Sequence, residues 1–164
     1  MRLYHGSNLT VEKPVLLAHR RYLDFGDGFY TTTNADQAIA FSEKVVRRSH
    51  GGQATVSVYD FDADAAFAVC NVLRFASPDG DWLDFVSANR LGTAEPNAYD
   101  IVYGPVADDD VYTTFSLYET GVLTRQQTLE TLKIRKLFDQ MVFATERSLG
   151  FLLFVGVLDR GAEP

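Results

Sequence analysis

The chain is organised around two short stretches near its start: LYHGS at residues 3–7 and DFGDGFYTT at residues 24–32. In each of them, a polar or aromatic side chain stands among glycines at the end of a short apolar run. Because glycine lacks a Cβ, the backbone there can approach a flat ligand while one ring and one hydrogen-bonding group are placed on it. The pair therefore predicts a binding site for a flat ligand, with the rest of the chain as its scaffold.

The composition is typical of a single globular domain over residues 1–164. The chain is 46% hydrophobic and 13% aromatic, which is enough to form a core. A net charge of −7 argues against a general binder of nucleic acid or of anionic membranes, because such a protein carries a basic face. One basic run is present, and we interpret it as a solvated helix face: Lys44, Arg47, Arg48 and His50.

Cysteine and hydropathy bear on the expected compartment. The single Cys70 cannot form an internal disulfide, and no Cys or His cluster has the spacing of a zinc site, so no metal is expected. A cytoplasmic setting is predicted, because the N-terminus lacks the order of a signal peptide; secretion without a cleaved signal would leave no trace in these features. The apolar run at residues 151–158 is far shorter than the roughly 20 residues that span a bilayer, so no membrane contact is predicted.

The order of the predicted elements favours an α+β fold. Short runs rich in β-branched and aromatic residues predict strands, and apolar positions at helical spacing predict helices between some of them. Strands and helices do not alternate strictly, as they would in a doubly wound sheet. Pro14 limits residues 11–17 to an edge strand or an extended loop. The predicted strands are residues 2–5, 29–33, 54–61, 71–75, 99–103, 137–145 and 151–158.

Capping residues set the predicted bounds of the first two helices. Thr33 or Asn34 is expected to cap a helix that the glycine pair at residues 51–52 ends. Ser77 is expected to cap the next helix, with Pro78 at its first position.

Three further helices are predicted in the second half. The aspartates at 108–110 precede residues 111–119, and carboxylates favour a helix N-terminus. We prefer this interpretation to a metal site, because three adjacent aspartates point in three directions. TRQQ at residues 124–127 predicts a capping box for a helix to about Leu132, and a short helix is expected from Thr145.

The late strand at residues 137–145 places its side chains on two faces. Alternation puts Gln140, Val142 and Ala144 on one face and Met141 and Phe143 on the other.

Together, the two opening stretches and this late strand resemble the ADP-ribosyltransferase superfamily, in its poly(ADP-ribose)-polymerase and diphtheria-toxin-like branch. That branch carries Leu-aromatic-His-Gly-Ser/Thr in a first strand, a Tyr in a Gly-x-Gly-x-Tyr turn, and a Glu or a replacement in a late strand. The matching residues are His5 of LYHGS, Tyr30 of FGDGFY and Gln140 of DQMVF.

Two further features agree with the resemblance. In that branch an aromatic residue eleven positions after the motif Tyr sandwiches nicotinamide, and Phe41 stands eleven after Tyr30. The phrase YDIVYGPVAD at residues 99–108 resembles one from a bacterial family of unknown function assigned to the same superfamily. Any one motif is weak, but four in the right order are more specific.

The resemblance implies that NAD, as a substrate, binds in a cleft between two packed, bent, mostly antiparallel β-sheets with flanking helices. His5 would hydrogen-bond a ribose hydroxyl, and Gly6 would pair its backbone with the nicotinamide carboxamide. Ser7 would add a hydroxyl, although it could equally cap a turn. Arg20 and Arg21 would meet the pyrophosphate, although two arginines in a loop more often face solvent.

The resemblance also implies that Tyr30 and Phe41 clamp the two faces of nicotinamide. Such a ring pair contributes roughly 0.5–1.5 kcal/mol beyond burial. The alternative is that both rings belong to the core, and for Phe41 taken alone the two interpretations are about even.

Gln140 bears on the mechanism. Breaking the nicotinamide–ribose bond develops oxocarbenium character, which a Glu stabilises in the superfamily. Gln keeps the hydrogen bonding but cannot act as a base, and losing a charged partner typically costs about 10²–10³ in rate. Polymer formation is therefore not expected, whereas mono-transfer is. A base could come from Asp24, Asp27, Asp139 or Glu146, although Asp139 should point away from Gln140; Gln140 itself could also be a polar residue on an exposed edge.

The expected activity is therefore mono-ADP-ribosyl transfer by an NAD-dependent pentosyltransferase. NAD is cleaved, nicotinamide leaves, and ADP-ribose passes to a protein or nucleic-acid acceptor in the cytosol of the producing or target cell. The resemblance suggests a bacterial toxin or effector, and an antitoxin or immunity partner is a further expectation. Two alternatives remain: an NAD glycohydrolase, in which water is the acceptor, and a non-catalytic module that binds NAD or ADP-ribose.

Overall fold

The computed structural model of the protein describes residues 1–16, 23–95, 98–106, 109–133 and 138–159. Its architecture is α+β, with two mostly antiparallel sheets and flanking helices, as the element order predicts. The strands are β1 (Arg2–Ser7), β2 (Phe29–Thr31), β3 (Thr55–Phe61), β4 (Val72–Arg74), β5 (Ile101–Val106), β6 (Phe138–Phe143) and β7 (Leu152–Val157). The helices are α1 (Ala35–Ser49), α2 (Ala63–Val69), α3 (Gly80–Arg90), α4 (Asp109–Glu119), α5 (Arg125–Lys133) and α6 (Glu146–Leu149).

The strands form a three-stranded sheet in the order β1-β3-β7 and a four-stranded sheet in the order β2-β6-β5-β4. β4 and β5 run parallel, and the other pairs are antiparallel. The two sheets meet at one isolated bridge between Tyr4 and Thr32. There the Tyr4 amide donates to the Thr32 carbonyl at 2.9 Å, and the Thr32 amide donates to the Tyr4 carbonyl at 3.0 Å. Beyond this bridge β1 and β2 separate.

Two apolar clusters cover the two faces of the four-stranded sheet. Val142 of β6 packs in one cluster with Trp82 of α3. Met141 and Phe143 belong to the other cluster, which also holds Tyr59 of β3 and so packs the two sheets together. The alternation predicted for the late strand is therefore confirmed, with Val142 on one face and Met141 and Phe143 on the other.

Local capping explains α1. Asn34 is its N-cap, and the Asn34 side chain accepts a 2.9 Å bond from the amide of Gln37. Asp36 lies in the first turn and Arg47 in the last, where each complements the helix dipole. His50 ends the helix in the left-handed conformation at φ 54°. The predicted bounds of this helix are confirmed, and the cap is Asn34 rather than Thr33.

Three expectations about elements are wrong. α2 was not predicted; Asp62 caps it by accepting a bond from the Ala65 amide at 3.1 Å, and its Ala63, Ala66 and Phe67 pack on the core at helical spacing. α3 is capped by Asp79, not by Ser77, and the Asp79 side chain accepts from the Trp82 amide at 3.0 Å. The predicted cap Asp108 lies outside the described residues.

The third error concerns β5, which continues through Gly104 and Pro105 instead of ending there. β4 pairs only as far as Tyr103, so Pro105 lies where β5 has no strand neighbour on that side. Its missing N–H costs no ladder bond there, and its carbonyl accepts from the Trp82 indole N–H at 2.9 Å.

β7 is an edge strand of the three-stranded sheet. It pairs with β3 on one side, and the topology gives it no partner on the other within the described part of the chain. It has neither proline nor a charged residue, and three of its apolar side chains are exposed: Leu153, Val155 and Val157.

Among the described helices, none combines the length and the hydropathy that a transmembrane span requires.

Candidate functional site

Gly6 turns its backbone polar groups toward the gap between the two sheets. Tyr4 directs its N–H and C=O at Thr32 of the other sheet. Because these groups alternate sides along a strand, those of Gly6 point the same way as those of Tyr4. β2 has diverged at this level, and no bond outside the β1–β3 ladder joins the Gly6 backbone to a described residue. One donor and one acceptor thus face the gap side by side.

The packing of α1 on β1 explains why this position is a glycine. A Cβ on Gly6 would lie 2.1 Å from the carbonyl oxygen of Ala38 and 3.0 Å from the amide nitrogen of Ser42. Both are backbone atoms of α1 and cannot rotate away. Phe41 lies on the same helix between these two contact residues and is 49% exposed. Gly6 and Phe41 therefore belong to one packed unit.

His5 is held in one tautomer by β2. Its Nδ1 lies 2.7 Å from the carbonyl oxygen of Tyr30, and since a carbonyl only accepts, Nδ1 carries the proton. The ring packs against Phe29, with centroids 4.4 Å apart. Burial lowers the pKa of His5, and the bond to the Tyr30 carbonyl opposes that shift only in part. The neutral ring leaves Nε2 as an acceptor.

Tyr30 closes the glycine turn that precedes it. Its hydroxyl donates to the carbonyl of Gly26 at 2.5 Å and accepts from the amide of Phe25 at 3.3 Å. Burial raises the pKa of Tyr30, so the phenol stays protonated. A Cβ on Gly28 would lie 2.7 Å from the carbonyl oxygen of Phe143, so this glycine lets the turn approach β6. The turn and the ring thus fix each other.

Gln140 and Tyr30 share a face of the four-stranded sheet. Tyr30 pairs with Val142, and Gln140 lies two residues from Val142 on β6. Such diagonal neighbours have Cα atoms about 7–8 Å apart. Gln140 is half-buried, and its side chain makes no hydrogen bond to another described residue. The amide is therefore available to a ligand near Tyr30.

The four carboxylates proposed as bases are engaged or directed elsewhere. Asp24 forms an ion pair with Arg90 at 2.7 Å, and Asp27 is exposed on the glycine turn. Glu146 lies six residues beyond Gln140, up to roughly 20 Å away at about 3.3 Å per residue. Asp139 lies on the opposite face from Gln140. No described contact brings any of the four to Gln140.

The remaining predicted residues are placed as follows. Ser7 is half-buried on the same face of β1 as His5, and its hydroxyl lies 3.5 Å from the Asn8 side-chain oxygen. Tyr30 and Phe41 are both described and make no ring contact with each other. Arg20 lies outside the described residues. Among the side chains that the structure describes, no group of three His, Cys, Asp or Glu could hold a metal ion.

A cavity of about 450 Å³ lies at the end of the four-stranded sheet where Pro105 of β5 pairs with Asp139 of β6. Aromatic and proline rings line much of it, with Asp139 as its charged lining residue. No local pattern indicates this cavity, because its walls come from β5, β6, α5 and the segment after β4. Thr32 and Thr33, whose hydroxyl groups lie within hydrogen-bond distance of the Asp139 carboxylate, were not predicted as site residues. The polar run TTTN at residues 31–34 is the signal that could have indicated them.

The chain belongs to the DUF3990 family, described as proteins of unknown function, whose family model matches residues 1–154. That match includes both glycine stretches and the strand that carries Gln140. No curated protein and no solved structure matched the chain.

Proposed function

We propose that this protein has an ADP-ribosyltransferase-like fold, binds NAD at the divergence of β1 and β2, and transfers a single ADP-ribose to a macromolecular acceptor. The observation that carries the proposal is the Gly6 backbone: a donor and an acceptor that face the gap side by side, beside Tyr30 and α1. A primary carboxamide offers the complementary acceptor and donor. Nicotinamide is a flat ring that carries this group.

The nicotinamide end would be held by backbone and rings. The carboxamide pairs with Gly6, and the ring lies against Tyr30 with Phe41 on its other face. Each stacked pair contributes roughly 0.5–1.5 kcal/mol beyond burial. The half-exposed ring of Phe41, on a helix already packed against Gly6, supports this arrangement. The fixed ring of Tyr30 loses little freedom on binding, which favours affinity.

The ribose would be oriented by His5 and Gln140. With its proton on Nδ1, His5 has Nε2 ready to accept from a ribose hydroxyl, and Ser7 shares its face of the strand. The amide of Gln140 would bond a second hydroxyl, near the carbon that reacts. Such positioning contributes to catalysis by keeping the sugar in a reactive geometry.

The chemical step would be a displacement at the ribose carbon. The bond to the pyridine nitrogen breaks, and nicotinamide leaves with the bonding electrons. A lone pair of the acceptor forms the new bond to that carbon, and the acceptor then loses its proton. Gln140 cannot take this proton, so solvent or a group of the acceptor receives it. This limits the reaction to acceptors that need little activation.

A second candidate function, non-catalytic binding of NAD or ADP-ribose, is favoured by one observation. Gln140 has no charge, and the four carboxylates near the motifs in sequence lie elsewhere or are engaged, as Asp24 is with Arg90. If the protein only binds NAD or ADP-ribose, its binding site for nicotinamide would still be complete.

The deciding measurement is release of nicotinamide from NAD by the purified protein, alone and with cell extract. The transferase predicts release that depends on extract, and label from NAD that becomes attached to macromolecules. Release without extract, with all label on free ADP-ribose, would identify an NAD glycohydrolase. If the protein binds NAD but releases no nicotinamide under any condition, it is a non-catalytic binding module.

The site assignment predicts that Tyr30→Ala and His5→Ala each weaken NAD binding at least about tenfold, since each removes a ring or acceptor from the ligand. Calorimetry or fluorescence titration measures the dissociation constant. Tyr118→Ala is the matched control, because Tyr118 is also half-buried against the cluster that contains Val142. If both site variants bind NAD like the wild type, the assignment is wrong.

A further inference from the structure

The carboxylate of Asp139 binds a group of side chains that have no role in the proposed function. Its Oδ1 accepts from the Thr33 hydroxyl at 2.8 Å, and its Oδ2 accepts from the Thr33 amide at 3.3 Å. The Thr32 hydroxyl lies 3.2 Å from Oδ1. Burial first, and the nearby charge of Asp139 second, raise the pKa of Tyr103 on β5. Asp139 thus ties β6 to the segment that follows β2.

The same group continues into the first turn of α1. The Thr32 hydroxyl lies 2.6 Å from the side-chain oxygen of Gln37. Its single proton serves either Gln37 or Asp139, so Thr33 is the main partner of the carboxylate. The Thr32 oxygen also accepts from the amide of Asn34 at 3.0 Å, and Asn34 caps α1. The negative charge of Asp139 therefore lies close to a helix N-terminus, where it is favourable.

The position of these hydrogen bonds indicates which part of the fold they stabilise. β2 ends at Thr31, which pairs with Met141, and a continued register would set Thr33 opposite Asp139. The carboxylate therefore replaces the ladder at the corner where β2 becomes α1. Phe41 lies on α1 eight residues after Thr33, and the backbone of the same helix packs against Gly6 at Ala38 and Ser42.

We propose that Asp139 is a positioning residue that holds the β2–α1 corner on β6 and so sets the width of the nicotinamide site. It acts on the other face of the strand from Gln140 and does not touch the ligand. Its effect reaches Gly6 and Phe41 through α1. The proposal rests on the proposed function, because the width matters only if a ring enters there.

The test compares NAD with ADP-ribose, which lacks the nicotinamide ring. Asp139→Ala should weaken NAD binding by about tenfold or more, since small misplacements of a site are costly. Binding of ADP-ribose should change less than about twofold. Thr33→Val, which removes the hydroxyl but keeps the shape, should act in the same direction, and the double variant should lose less than the product of the two single losses. Asp139→Asn should fall between, because its side chain keeps one acceptor oxygen but loses the negative charge and the second acceptor.

Asp60→Ala is the matched control. Asp60 is also a carboxylate on a strand, but it pairs with Arg2 and lies in the three-stranded sheet, which does not contain Gln140. It should leave both affinities unchanged. Equal weakening of NAD and ADP-ribose by Asp139→Ala would overturn the proposal, since a general loss of stability gives that pattern. So would independent, multiplicative effects of Asp139→Ala and Thr33→Val.

Amide hydrogen exchange separates failure of this proposal from failure of the proposed function. If the wild type binds neither ligand, the proposed function fails. Asp139→Ala should still speed exchange at residues 33–41 by at least about tenfold while β3 stays protected. Unchanged exchange at residues 33–41 would overturn the positioning role itself.

Discussion

At the scale of single residues, the two polar side chains of the candidate site differ in how tightly they are fixed. His5 has its tautomer set by the Tyr30 carbonyl and its ring set by Phe29. Gln140 makes no such bond to the described residues, so its amide orientation depends on the ligand. The half of the candidate site that is proposed to bind the ligand is therefore preorganised, and the half that would face the reacting bond is not.

His5 should make stability depend on pH. Burial lowers its folded pKa below the ordinary 6.5, so as pH falls the unfolded chain takes up the proton first. Stability should drop as pH falls through 6.5 and continue to drop until folded His5 is protonated, by up to about 1.4 kcal/mol per pH unit. Urea unfolding between pH 7.5 and 5.5 measures the slope. His5→Gln should flatten it and His50→Gln should not; equal slopes in all three would contradict the prediction.

Gln140 should respond to a restored charge. If it faces the scissile bond, Gln140→Glu should raise nicotinamide release by about 10²–10³-fold, because a preorganised carboxylate stabilises the developing cation. The rate of release under saturating NAD is the measurement. Gln126→Glu, the same change on the exposed face of α5, should have no effect. No gain from Gln140→Glu, with NAD affinity kept, would remove Gln140 from the reacting centre.

At the scale of elements, the site depends on how α1 lies on β1. Gly6→Ala should destabilise the fold by about 1–3 kcal/mol or more, because the new Cβ meets the fixed carbonyl of Ala38. Gly51→Ala is the control, since nothing lies within 4 Å of its added Cβ. Chemical denaturation of both variants gives the comparison. Equal stabilities would mean that α1 can shift away from the strand.

Local signals predicted the elements that local chemistry determines. The Asn34 cap and the box at residues 124–127 were found because a side chain bonds a backbone amide three residues on; Thr124 and Gln127 do so in both directions. α2 was missed because its short alanine-rich run gives little hydropathy contrast between the face that packs on the core and the exposed face, which carries Val69. β5 was cut short because Gly104 and Pro105 disfavour a strand in general, although an edge position tolerates both.

At the scale of the whole molecule, two sheets share an apolar cluster but only one backbone bridge among the described residues. The proposed ligand would bind beside that bridge. NAD should therefore slow amide exchange at Tyr4 and Thr32, by hindering separation of β1 and β2. The Tyr59 amide, on the central strand β3 of the three-stranded sheet, serves as the reference and should not change. Equal slowing at all three would indicate global stabilisation alone.

The sequence could not indicate this arrangement in full. The α+β class and the faces of β6 follow from local pattern, and Gly6, Tyr30 and Gln140 were singled out from motifs. That Tyr30 pairs with Val142, or that Asp139 binds Thr33, depends on strand order, which no local period encodes. The separation of β1 and β2 is likewise a property of the assembled sheets.

The edge strand β7 should control how the protein behaves in concentrated solution. Where β4 ends, Pro105 of β5 offers no donor to a passing strand, whereas β7 has no proline and no charge along its length. Self-association should therefore begin at β7. Leu153→Lys, which places an ammonium opposite Asp60, should reduce light scattering on storage, whereas Leu9→Lys, outside any strand, should not. Storage buffers and surface redesign should target this single edge.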